Sequence, residues 1–178
     1  MMGDDAAGLL LARLVRQAPL ADWELLQGGA MPENYLHQVR CLAPEQVLIV
    51  DAAEMGLLPG AVRLVGEEQI DSPELLTTHT LPLTFLIQAL REFVPQVALL
   101  GIQPEIVAFG YPVSLAVQRA VEQVYTRLAQ HDCTWETLEE DGEVPVPTLQ
   151  PAPGAAAACS CLAGNDVQRS AQRNPGLV

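Results

Sequence analysis

The first 130 residues alternate between segments with a helical period and short, continuous apolar runs. In the helical segments an apolar stripe lies opposite a polar one. The last of them is the clearest, because Val117, Val121 and Val124 share one face while Arg119 and Glu122 share the other. The helices are predicted over residues 5–17, 32–42, 83–94 and 117–128.

The apolar runs between these helices predict strands, over residues 23–27, 46–52, 62–65 and 97–101. The run Val47, Leu48, Ile49, Val50 is typical of a central parallel strand that is covered on both faces. Alternating helices and strands favour an α/β fold, here a three-layer sandwich around a mostly parallel, twisted sheet.

The pattern ends near residue 130. Beyond it come an acidic cluster, a proline-rich stretch and an alanine run, none of which has an apolar period. We therefore predict one domain over residues 1–130, followed by a disordered acidic, proline- and alanine-rich tail over residues 131–178.

Charge and apolar run lengths limit the possible partners. The formal net charge is -13, and a nucleic-acid-binding protein would need Lys and Arg to neutralise phosphates. No apolar run reaches the roughly 18 residues of a membrane helix, and no basic-then-apolar signal pattern opens the chain. We expect a cytoplasmic protein that binds neither nucleic acid nor membrane.

Titratable residues fall at one predicted edge of the sheet. Asp4 and Asp5 precede the first helix, Asp51 directly follows the run 47–50, and His79 precedes the third helix. Ligands of open α/β sheets bind beyond the carboxyl ends of the strands. Two carboxylates and an imidazole suit a divalent transition metal, and three protein ligands leave coordination positions open.

Each candidate also has an ordinary structural interpretation. An Asp at a helix start is commonly a cap, and Asp51 could bond the backbone amides that follow it. A single His such as His79 is often a surface or capping residue. His37 and His131 lie on a predicted exposed helix face and in the tail, so they receive no role.

Four ordered sequence blocks resemble the nickel-iron hydrogenase maturation endopeptidases. They are Met-Gly-Asp-Asp-Ala-Ala-Gly at 2–8, Ile-Val-Asp-Ala at 49–52 with Met-Gly-Leu at 55–57 and Pro-Gly at 59–60, Thr-Thr-His at 77–79 with Leu-Pro-Leu at 81–83, and Gly-Ile-Gln-Pro-Glu at 101–105 with Tyr-Pro at 111–112. The likeness covers residues 1–130 and is strongest to the branch that processes the hydrogenase of formate hydrogenlyase.

The resemblance implies an endopeptidase of aspartic, metal-reading type. Family members remove a C-terminal extension from a hydrogenase large-subunit precursor and recognise nickel already mounted there. The positions that contact the metal would be Asp5, Asp51 and His79, with Asp5 or Asp51 in the catalytic step. No permanently bound cofactor is implied, since the precursor supplies the nickel.

The chain departs from the family in one respect. The family begins with an apolar strand and a Gly-Asn turn, and this chain starts after both, so the sheet is expected to lack its first strand and to be poorly stable. An alternative function is a catalytically impaired form that only binds the precursor. A flavodoxin-like nucleotide or flavin binder is disfavoured, because no GxGxxG or GxxxxGK stretch is present.

Overall fold

A computed structural model describes residues 3–28, 31–66, 69, 76–77, 80–138 and 157–161 of the 178. Two of its helices are entered through a 3-10 turn, Gly3–Ala6 and Pro32–Tyr35. The helices are α1 (Ala7–Gln17), α2 (Leu36–Leu42), α3 (Thr80–Arg91) and α4 (Leu115–Ala129). The strands are β1 (Trp23–Gln27), β2 (Gln46–Glu54), β3 (Val62–Val65), β4 (Leu76–Thr77), β5 (Gln96–Ile102) and β6 (Ala157–Cys161).

The predicted fold class is confirmed. The strand order is β1-β6-β2-β5-β3, in which the first four strands are mutually parallel and β3 runs antiparallel to β5. The short β4 pairs antiparallel with the end of β2. All eight predicted helices and strands are present, with ends that differ by only a few residues.

The sheet separates two apolar cores, which makes the fold a three-layer sandwich. One core packs α1 and α4 against one face of the sheet, with Leu11, Leu100 and Val121 completely buried. The other packs α2 and α3 against the opposite face, around Ile49 and Leu99. Neighbouring residues of β2 alternate between the two cores, because successive side chains of a strand point to opposite faces.

The sheet has a strand in the place predicted to be missing. Strand β6, from the C-terminal segment, lies between β1 and β2 and pairs with both in parallel, with Cys159 opposite Leu25 on one side and Leu48 on the other. Among the described residues no strand precedes α1, as predicted, but the place of that strand is filled by a segment from the C-terminal part of the chain. The physical reason is that an extended segment from any part of a chain can fill a gap between parallel strands if its linker is long enough.

The residues directly after the predicted domain boundary at residue 130 pack against the domain. Cys133 and Trp135 are buried, and Leu64 in β3 bonds the backbone of Glu136 and Leu138. Residues 131–138 thus extend the edge of the sheet. The prediction of a disordered tail is wrong for residues 131–138 and for β6. The rest of the predicted tail lies outside the described residues.

Candidate active site

Asp51 lies inside the apolar strand β2. The first eight residues of this strand are buried, and the Asp51 side chain is 0% exposed. Its Oδ1 accepts a hydrogen bond from the backbone N–H of Ala52 at 2.9 Å. Its Oδ2 is buried and has no hydrogen-bond partner among the described residues. A buried carboxylate oxygen without a donor is costly unless it carries a proton or meets a cation.

Burial raises the pKa of Asp51 well above its usual value. The bond from Ala52 opposes this shift, and the negative charge of Asp5 adds to it. The 3-10 turn Gly3–Ala6 contacts β2, so the two acids lie close enough for their charges to interact. Asp5 belongs to the 3-10 turn Gly3–Ala6 and is 3% exposed. The structure thus brings together two of the three predicted site residues.

The third predicted residue, His79, lies outside the described residues. Two residues before His79 in the chain, Thr77 of β4 pairs with Ala53 of β2, which lies two residues after Asp51. Within the described ranges no three His, Cys, Asp or Glu side chains form a metal-binding group. His79 is not among those residues, so the predicted triad remains a prediction.

Asp4 has a role that sequence reasoning missed. Its Oδ2 accepts from the backbone N–H groups of Glu105 at 2.8 Å and Ile106 at 3.0 Å, and its Oδ1 accepts from that of Ser114 at 2.6 Å. Burial would raise the pKa of Asp4, but these backbone bonds outweigh it and hold the pKa below the usual value. Asp4 thus ties the loop after β5 to the start of the chain.

The Asp4 side chain bonds the loop after β5 and Ser114, although a helix cap was its ordinary interpretation. The N-cap of α1 is Ala6, which makes no side-chain capping bond. Gly3 precedes the acids with a φ of +63°, and a Cβ there would lie 2.3 Å from the carbonyl oxygen of Ile106. Only glycine tolerates both this conformation and this close approach. Gly3 therefore permits the turn that buries Asp4 and Asp5.

We expect Asp4→Asn to lower the free energy of unfolding by about 2–4 kcal/mol at pH 7, since bonds from backbone amides to a charged acceptor are lost. A lowered pKa stabilises the fold above the unfolded-state pKa, and this contribution is lost as the pH falls through the folded pKa. The difference from wild type should therefore shrink in acid. Urea unfolding across pH measures it. Exposed Asp22, changed to Asn, is the control and should shift stability by no more than about 0.5 kcal/mol.

Sequence and structure comparisons decide the family. A family model described as hydrogenase maturation protease matches residues 10–131. The chain belongs to the hydrogenase maturation protease family. It is 47% identical over 128 residues to the hydrogenase 3 maturation protease of Escherichia coli K12, which covers 72% of this chain and 82% of the relative.

Solved structures agree with this family. The endopeptidase HycI from Escherichia coli superposes with a TM-score of 0.74 at 43% identity, covering 80% of this chain and 93% of the other. A nickel-iron hydrogenase maturation protease from Thermococcus kodakarensis gives a TM-score of 0.63 at 26% identity, covering 72% and 83%. The family match includes Asp51 and His79, whereas Asp4 and Asp5 precede it. Membership favours the protease hypothesis over a flavodoxin-like binder.

Proposed function

We propose that the protein is an endopeptidase that removes the C-terminal extension of a nickel-iron hydrogenase large-subunit precursor after nickel insertion. The substrate's nickel is the recognition element, and Asp5, Asp51 and His79 contact it. The observation that carries this proposal is the buried pair Asp5 and Asp51, with Asp51 Oδ2 lacking a donor among the described residues. A cation delivered by a substrate would compensate both carboxylates.

The ligand chemistry supports a metal that arrives with the substrate. Two carboxylates and a histidine cannot select nickel by affinity in a cell that also contains copper and zinc, because copper binds more tightly to such donors. A protease that recognises nickel after another system has inserted it avoids this problem. The protein accordingly needs no permanently bound cofactor.

Two roles for nickel in peptide cleavage are open to this site. The ion can polarise the scissile carbonyl, or it can activate a water molecule. In either case Asp5 or Asp51 accepts a proton. The raised pKa of Asp51 supports it as the acceptor, since a general base works best when its pKa approaches the ambient pH.

The proposed partner is the precursor protein, and the proposed location is the cytoplasm. None of the helices in the described part of the chain is long and apolar enough to cross a membrane. The net charge of -13 opposes nucleic acid as a partner, because phosphates would be repelled. The alternative function, a precursor-binding module without catalysis, shares this partner and differs only in its chemistry.

We expect the purified protein to shorten nickel-loaded precursor and to leave nickel-free precursor intact, because only the loaded form brings a cation to Asp5 and Asp51. Mass spectrometry of the precursor measures the cleavage. Treating the protein alone with a chelator, and then removing the chelator, should not lower activity. His79→Ala should reduce cleavage by about a hundredfold or more, as expected for loss of a metal contact.

The matched control is His131→Ala. His131 is exposed and lies 3.5 Å from Asp22, away from the two acids. Its substitution should leave cleavage unchanged. Equal trimming of loaded and nickel-free precursor would exclude nickel as the recognition element. Binding of the loaded precursor without shortening would instead support the binding-module alternative.

A further inference from the structure

Gln103 follows β5 and is almost completely buried, at 3% exposure. Its side-chain Oε1 accepts from the backbone N–H of Met55 at 2.7 Å and from that of Leu57 at 3.2 Å. Its Nε2 donates to Glu54 Oε1 at 2.8 Å and to the carbonyl of Pro104 at 3.2 Å. The side-chain amide of Gln103 thus bonds the last residue of β2 and the segment that follows it, as well as the carbonyl of its own neighbour Pro104.

The backbone of Gln103 holds the far end of the same segment. Its carbonyl accepts from the N–H of Gly60 at 2.8 Å, and its N–H donates to the carbonyl of Ala61 at 2.8 Å. Glu54 Oε1 also accepts from Gly56 at 3.2 Å. Residues 55–60, which we call loop 55–60, are therefore fixed at both ends by Gln103, the residue directly after the neighbouring strand β5.

Loop 55–60 adjoins the candidate active site. Gly101 of β5 pairs with Asp51 of β2. A Cβ built on Gly101 would lie 3.0 Å from Met55 Sδ and 3.1 Å from Ala53 Cβ. The Met55 side chain therefore covers the backbone beside Asp51. A loop held by Gln103 and packed on Gly101 has its place relative to Asp51 set by these contacts.

The loop presents one large apolar side chain to solvent. Leu58 is 83% exposed, although the loop on either side of it is held by hydrogen bonds. The bonds to Gln103 thus order a segment in which the large apolar side chain of Leu58 stays exposed. An ordered, exposed leucine beside an active site is suited to contact a protein substrate, because ordering in advance lowers the entropy lost on binding.

We propose that Gln103 is a positioning residue, which fixes loop 55–60 as one wall of the substrate-binding site so that Leu58 contacts the peptide segment next to the cleaved bond. This inference rests on the proposed protease function and adds a specificity element to it. Gln103 touches no reacting atom. It acts through Met55, Leu57 and Leu58.

The first test is a double-mutant cycle of Gln103→Met and Leu58→Ala, assayed with nickel-loaded precursor. Loss of a contact made equally in the ground and transition states raises KM and leaves kcat unchanged. Each single change should therefore raise KM about five- to tenfold, with kcat within about twofold. The double variant should have the KM of Gln103→Met alone, since Leu58 acts only from an ordered loop.

The second test exchanges the amide and the carboxylate. Gln103→Glu alone places two carboxylates where Nε2 now meets Glu54, and their repulsion should raise KM. In Glu54→Gln/Gln103→Glu the amide donates from position 54, the carboxylate at 103 still accepts from Met55 and Leu57, and the bond to the Pro104 carbonyl is lost. The exchange should restore KM to within about threefold of wild type. A residue that merely filled space would show no such rescue.

Gln69→Met is the matched control. Gln69 is also buried and also bridges backbone groups, accepting from Gly66 at 2.9 Å and donating to the carbonyl of Leu138. It lies beyond the end of β3, which runs antiparallel to β5 and so points away from the edge that carries Asp51. Its substitution should lower thermal stability and leave KM unchanged.

An unchanged KM in folded Gln103→Met, or additive effects in the double variant, would overturn the inference. If Gln103→Met does not fold, the other two variants test the inference. An unchanged KM in Leu58→Ala would contradict it, and so would a KM that is not restored in Glu54→Gln/Gln103→Glu. If wild-type protein cleaves no precursor, the proposed function fails. Hydrogen exchange of the Met55 and Leu57 amides then shows separately whether Gln103 orders the loop, with faster exchange expected in Gln103→Met.

Discussion

A chain that ends at Leu138 is expected to lose its cooperative unfolding transition and its protease activity. Such a chain lacks β6, which forms five residue pairs with β1 and five with β2. Each buried backbone group left unpaired costs about 1–3 kcal/mol. A strand bonded on both sides therefore accounts for more than the about 5–15 kcal/mol by which a domain is stable. Thermal melts by circular dichroism and precursor cleavage measure the two losses.

The matched control for this truncation is a chain that ends at residue 166, which keeps β6 and should melt as the full chain does. Ser160→Pro in the full chain separates the strand from the rest of the segment. Proline lacks the N–H that a central strand must donate, and it is confined to sheet edges for that reason. This variant should be nearly as unstable as the truncation. A cooperative melt of residues 1–138 at the wild-type temperature would show that β6 is dispensable.

Asp51→Asn should abolish cleavage while making the protein more stable at neutral pH. The amide cannot compensate a cation or accept a proton as the carboxylate does, so we expect kcat/KM to fall by about a thousandfold or more. The same change removes an acid that is buried without a partner for Oδ2 among the described residues. Loss of activity with a gain in stability is common when the substituted group is unfavourably buried because function requires it.

The pKa of Asp51 determines how the stability difference between Asp51→Asn and wild type changes with pH. The folded pKa of Asp51 is raised, so between its unfolded and folded pKa the native state binds the additional proton. Wild-type stability must then fall as the pH rises through that window. Asp51→Asn lacks this dependence. Its advantage over wild type should grow from acid towards neutral pH, by about 1.4 kcal/mol for each unit of separation between the two pKa values.

Asp132→Asn is the control for this variant. Asp132 is held by Arg127 and Thr134, near the C-terminal end of α4, and its pKa is lowered by its hydrogen bonds to Thr134. Its substitution should leave cleavage intact and give no advantage at neutral pH. Retention of normal cleavage by Asp51→Asn, or a constant stability difference from pH 4 to 8, would contradict the role assigned to Asp51.

Strand β6 shows why local pattern could not complete the sheet. Its residues are Ala157, Ala158, Cys159, Ser160 and Cys161, which have neither the β-branched residues nor the alternation by which strands are recognised. Its place is set by two neighbours far away in sequence, each with an unpaired row of backbone groups. Such non-local pairing leaves almost no local signal.

The candidate site, like the sheet, was only partly predictable from the sequence. The abrupt end of the apolar run at Asp51 marked that residue, because it placed a carboxylate at the edge of the sheet where ligands of open α/β folds bind. The roles of Asp4 and Gln103 were not visible, since each bonds backbone groups of a distant segment. The signal that could have led to Gln103 was its place in the Gly-Ile-Gln-Pro block directly after β5.

By itself, the sequence determined the helices, the strands of the first 130 residues, the α/β class and the resemblance to its family. These follow from periodicity, because burying an apolar stripe or run against a layer is a local requirement that each segment records. Only the tertiary structure decided which segment lies between β1 and β2, that the turn carrying Asp5 packs beside β2 and Asp51, and which polar side chains hold the loops. These depend on distances between residues far apart in the chain, where hydrogen bonding and burial compete, and no single segment encodes the outcome.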